Sequence, residues 1–119
     1  MIDLINIIAM LATIAFGSTG WLAPRYTMQK LDLQPVNSRL GFSEIRAANG
    51  ALFVGLGVAA LVINQPLVYA MVGFAYAGAA VGRLTGIIVD RATTPTAMTF
   101  CAVEAALAVW LIYINLAFG

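Results

Sequence analysis

Hydrophobic positions fill four long stretches of this chain, and polar positions fall almost entirely between them. The stretches cover residues 4–22, 44–63, 67–90 and 95–118. Each is about the 20 residues that a helix needs to cross a hydrocarbon layer. They predict an all-α fold, an integral membrane four-helix bundle formed as a single transmembrane domain over residues 1–119.

Local signals punctuate the spans. Gly17 and Gly20 fall near the end of the first span, Trp21 marks its interface, and Pro24 stops it. Asn6 and Thr13 are its polar interior positions and read as neutral packing residues. The opening Met1-Ile2-Asp3-Leu4 lacks a basic n-region, and no small-x-small cleavage pattern follows. The first stretch therefore reads as a retained span and not as a signal peptide.

Residues 24–42 form a polar loop holding Arg25, Lys30, Asp32 and Arg39, with Pro35 and Gly41 as breakers. Tyr26 and Met28 can dip into the headgroup region. A solvated loop is favoured there over a short surface-lying helix.

The second span starts with Ser43 as N-cap and Glu44 in the first turn. At about 100° per residue, Arg46, Asn49, Gly50, Phe53, Gly57 and Asn64 share one of its sides. Asn64-Gln65-Pro66 is a tight turn, with Pro66 suited to open the third span. There Tyr76, Arg83 and Asp90 recur in a polar line, while Gly78, Gly82 and Gly86 stack into a groove where another helix can approach closely. Thr94 is the expected N-cap of the fourth span and Pro95 its first residue. Ala97, Cys101, Glu104, Ala108, Leu111 and Asn115 share one side of that span, with Trp110 and Tyr113 towards the far surface.

Composition narrows the function classes. At 62% hydrophobic and 9% charged, the 119 residues leave no room for a separate soluble domain. A net charge of +1 without a basic cluster argues against a nucleic-acid partner. Histidine is absent and Cys101 is the one cysteine, so no internal disulfide, metal site or cofactor is expected. Arg25, Lys30, Arg39, Arg46 and Arg91 all belong to the side shared by the 1–2 and 3–4 connections, while the termini and the 2–3 turn carry no Lys or Arg. The positive-inside rule then places both connections in the cytoplasm and both termini outside, in the periplasm of a bacterial inner membrane.

Arg83 lies about 12 Å up the third span from Arg91, and Glu104 about 15 Å up the fourth from Thr94. A guanidinium at that depth should not face lipid, and Glu104 is its expected partner. Arg46, Asn49 and Asp90 complete the expected intramembrane polar cluster. Glu44, Arg46, Arg83, Asp90, Arg91 and Glu104 together are neutral, as a self-satisfying network should be. A structural ion pair is favoured over a proton or substrate site, because a carboxylate held by an arginine is poorly placed to exchange protons.

Ser43-Glu44-Ile45-Arg46-Ala47, Gly50, Gly55-Leu56-Gly57, Gly82-Arg83-Leu84, Asp90 and Glu104 together resemble an uncharacterised bacterial family of small four-span membrane proteins, a domain of unknown function. The resemblance covers nearly the whole chain and departs modestly at Gly50-Ala51, where two glycines are common. It implies the fold and a bacterial membrane, and it carries no catalytic role.

The function expected is that of a non-enzymatic multi-pass protein, a structural or accessory subunit in the lipid bilayer. It would pack against itself, as a homo-oligomer, or against a larger membrane-protein complex. The alternative is a small transporter or channel with a polar site around Glu104 and Arg83. Small multidrug transporters place their glutamate in the first span, and this chain does not. A membrane enzyme using Tyr76, Cys101, Glu104 and Arg83 ranks third, since no nucleophile–base pair is evident. For topology, a reporter after Gly119 should read as periplasmic and a tag between Asp32 and Asn37 as cytoplasmic. A cytoplasmic reading after Gly119 overturns the orientation.

Overall fold

A computed structural model of the chain describes residues 2–34 and 39–118, the first two of them by backbone alone. Pro35, part of the 32–37 tagging site and Gly119 lie outside these residues. The described residues are all-α: α1 Ile2–Leu22, α2 Pro24–Lys30, α3 Leu40–Arg46, α4 Leu52–Ile63, α5 Pro66–Val89 and α6 Pro95–Ala117, with a π-helical turn, Ala47–Ala51, joining α3 to α4.

Four helical stretches, Leu4–Leu22, Leu40–Ile63, Pro66–Val89 and Pro95–Ala117, are long and apolar enough to cross a membrane. Between 11% and 33% of each apolar window is buried. Phe16, Val62, Met71 and Val109 are among the large side chains left exposed. Continuous apolar faces of that extent suit hydrocarbon and not water. The chain is a multi-pass membrane protein.

It divides into two compact units, Asp3–Val62 and Ile63–Gly119. In the first, α1 runs antiparallel to the α3–α4 helix, and glycines set how closely they approach. A Cβ at Gly20 would collide with the Asn49 carbonyl, and one at Gly50 with the Trp21 backbone. At Gly57 it would lie 2.6 Å from Ile14 Cγ1. The π-helical turn adds a residue just where Gly50 meets α1, shifting the facing side chains without leaving the backbone unbonded.

The polar segment differs from expectation in two ways. Residues 24–30 are helical, and α3 begins at Leu40, so Ser43 lies inside the helix and does not cap it. The cause is local packing. Pro24 and Met28 are buried, and the Arg25 guanidinium lies 4.7 Å over the Phe42 ring, which draws Phe42 into the first turn of α3. Asp32 ends α2 in the left-handed region, φ 58°, and the Leu33 N–H donates back to the Met28 carbonyl at 2.8 Å. That is a Schellman-type closure with aspartate where glycine is usual.

The second unit is the antiparallel hairpin α5–α6. Pro66 opens α5, and Asn64 before it has φ 52°. Thr94 caps α6 as expected, its Oγ1 accepting from the Ala97 N–H at 3.2 Å. Gly73 lets α5 lie against Leu111 and Ile112, where an added Cβ would come within 2.8 Å of Leu111 Cβ.

Contact and free space therefore assign the glycines of the π-helical turn and α4. Gly50→Ala should lower stability in detergent by about 1–3 kcal/mol, since the neighbour is backbone and cannot yield. Gly55→Ala, with nothing within 4 Å, should be neutral or stabilising by up to about 1 kcal/mol. Denaturant titration of both variants checks this, and equal losses would refute the assigned packing.

Candidate functional site

Rotation about α5 decides which of its residues meet α6. Taking Gly73 as the contact direction, about 100° per residue brings Tyr69, Tyr76 and Ala80 to the same side with Val72 at its edge, and all four are buried. Arg83 falls on the edge of that side. On α6, Ala108, Leu111 and Asn115 are buried, and Glu104 lies on the same stripe.

The two charges meet. Arg83 Nε donates to Glu104 Oε1 at 2.6 Å, and Nη2 donates to Oε2 at 3.3 Å. This is a two-pronged guanidinium–carboxylate pair. The side chains are 27% and 13% exposed, so the carboxylate is the more enclosed partner. The Arg83 guanidinium also lies 5.2 Å over the Phe100 ring. Phe100 was not singled out in the sequence, although it stands one turn before Glu104 on the same face. Cys101 turns its thiol to the Ala80 carbonyl at 3.7 Å, a weak contact of a packed residue.

Of the five residues expected to share a polar cluster, the structure brings Arg83 and Glu104 together. Arg46 is engaged in the first unit, where Nη1 donates to the Trp21 carbonyl at 2.7 Å. α1 ends there, and a cation is favourable at its negative end. Asn49 is half-buried, with its carbonyl against Gly20. Asp90 caps the C-terminus of α5 and is exposed.

The glycine stripe departs further from expectation. Nothing lies within 4 Å of where a Cβ of Gly78 or Gly82 would sit, and Gly86 meets only Asp90 Oδ2 at 3.8 Å. Gly82 is nine residues from Gly73, about half a turn round the helix, so the stripe faces away from α6. Close approach in the chain belongs instead to Gly17, Gly20, Gly50, Gly57 and Gly73.

Among the described residues, no three His, Cys, Asp or Glu side chains come together as a metal site requires. Chemically, the arrangement offers a paired guanidinium and carboxylate.

A family model described as Domain of unknown function (DUF4345) matches residues 2–115. No curated protein and no solved structure matches the chain.

The pair yields a double-variant test. Arg83→Met or Glu104→Gln alone strands one charge and should cost about 3 kcal/mol, the low end for buried pairs because part of the guanidinium is exposed. Combining them should recover most of that loss. Thermal unfolding of the three variants in one detergent measures it. Additive losses would show that the pair is not a coupled unit.

Proposed function

The chain belongs to the DUF4345 family, a domain of unknown function that spans nearly its whole length, and on that premise we propose a structural or accessory role in membrane assembly. The protein is read as a non-enzymatic subunit of a bacterial inner membrane, with both termini periplasmic. It packs against a second copy of itself along the outer face of α5.

One observation carries this reading. Gly78 and Gly82 form a small-residue stripe with nothing within 4 Å, on the side of α5 opposite the hairpin contact. In a bilayer, where apolar faces gain little by leaving lipid, close backbone approach across small residues is what favours one helix beside another. Lys and Arg residues concentrated on the 1–2 and 3–4 connections support the orientation. The transporter or channel reading would place its polar site at Glu104 and Arg83. There, a well-folded Glu104→Gln protein lacking its native phenotype would favour transport.

Gly82→Leu tests the proposal. The side chain enters open space, so the variant should fold with unchanged thermal stability. Crosslinked dimer in native membranes should fall about tenfold, equivalent to about 1.4 kcal/mol. An unchanged dimer yield, or no dimer in the parent protein, would overturn self-association through this face.

A further inference from the structure

α2 is the first element after the α1 span, which sets it at the level of the membrane surface. Between it and the start of α3 lies an open cavity of about 500 Å³. Its lining combines two opposite charges, Arg25 and Asp32, with the amide of Gln29 and the apolar side chains of Met28, Leu33 and Phe42. The charges do not satisfy each other, because the one salt bridge among the described residues is Arg83–Glu104. Arg25 is held in place over the Phe42 ring, and Lys30, outside the lining, has its Nζ 5.6 Å from the centre of the Tyr26 ring, which lines the cavity.

We propose that this cavity binds the headgroup of a membrane phospholipid carrying a phosphate and a primary ammonium. The phosphate pairs with the Arg25 guanidinium, with the nearby Lys30 ammonium adding longer-range attraction. The ammonium donates to the Asp32 carboxylate and the Gln29 amide oxygen. Met28, Leu33 and Phe42 receive the upper part of the lipid chains. An anionic headgroup without an amine leaves Asp32 facing like charge. A choline headgroup has no N–H to donate. The opposite charges in one lining therefore select an ethanolamine-type headgroup over both. This inference does not depend on the α5 dimer face.

The full chain in mild detergent serves for the test, titrated with phosphatidylethanolamine, phosphatidylglycerol or phosphatidylcholine of matched chains and read by native mass spectrometry and thermal shift. Phosphatidylethanolamine should bind about tenfold tighter than phosphatidylcholine, the effect of one charge-assisted hydrogen bond. Asp32→Asn should erase that preference. Asparagine tolerates the left-handed backbone at φ 58°, so the turn itself is kept. Arg25→Gln should weaken binding of all three lipids. Soluble glycerophosphoethanolamine should produce little shift, because it lacks the chains. Equal binding of the ethanolamine and choline lipids would overturn the proposal, as would a preference for phosphatidylglycerol or one surviving in Asp32→Asn. A soluble headgroup as effective as the lipid would assign the cavity to a free phosphoamine instead.

Discussion

A peptide group in hydrocarbon has no water to bond to, so each spanning segment must satisfy its own backbone. That constraint explains where this chain is regular and where its polar residues go. Within the spans, hydroxyl and amide side chains return their protons to carbonyls of their own helix. Thr13 donates to Ala9, Ser18 to Ile14, Thr85 to Val81 and Asn115 to Leu111, all at 2.8 Å. Where a helix must stop, the loose carbonyls find donors. α1 ends at Leu22, and the Arg46 guanidinium, 25 positions after Trp21, reaches the Trp21 carbonyl. The π-helical turn that follows Arg46 meets the same constraint differently, changing the side-chain register while keeping every turn bonded.

The Arg83–Glu104 pair applies the rule to charge. A lone guanidinium or carboxylate at this depth is costly, while the pair leaves little unsatisfied. Its main consequence is register. Sliding α5 along α6 by one turn, about 5.4 Å, would break both hydrogen bonds. Most Ala, Val and Leu contacts of the hairpin would re-form with another neighbour. Phe100 under the guanidinium and Gly73 against Leu111 fix the same alignment from two further points. Directional contacts thus choose one alignment among several that apolar packing alone would tolerate.

The spans were legible because length and hydropathy are one-dimensional properties. Pro66, Thr94 and Pro95 were equally legible, since a cap depends on its immediate neighbours. The Arg83–Glu104 pair could be read because a short turn leaves α5 and α6 antiparallel and so fixes equal depths. Arg46 could not be placed, because its acceptor is a carbonyl exposed by a break in a different helix. Ser43 has the chemistry of a cap, yet the Arg25–Phe42 contact moved the helix start upstream to Leu40. The four-residue spacing of Gly78, Gly82 and Gly86 shows that they share a side of the helix. It does not say which side, because that depends on where Tyr69, Gly73, Tyr76 and Ala80 are driven.

Those two sides of α5 use the same residue under opposite conditions. Glycine inside a helix costs about 0.5–1 kcal/mol relative to alanine. At Gly73 the cost is offset by contact, since any Cβ would push α6 away from Leu111 and Ile112. At Gly78 and Gly82, alanine would fit without touching anything, so the described residues contain no offset. The same side bears Leu67, Met71 and Val89, large and exposed, around a floor without side chains. A floor of that shape gains dispersion contacts from a partner backbone that comes closer than side chains ordinarily permit. Lipid chains, mobile and unshaped, fill it less completely than a helix with small residues of its own. The physical asymmetry of α5 is therefore one face closed by α6 and one face with open space over Gly78 and Gly82, the face that the proposed self-association would use.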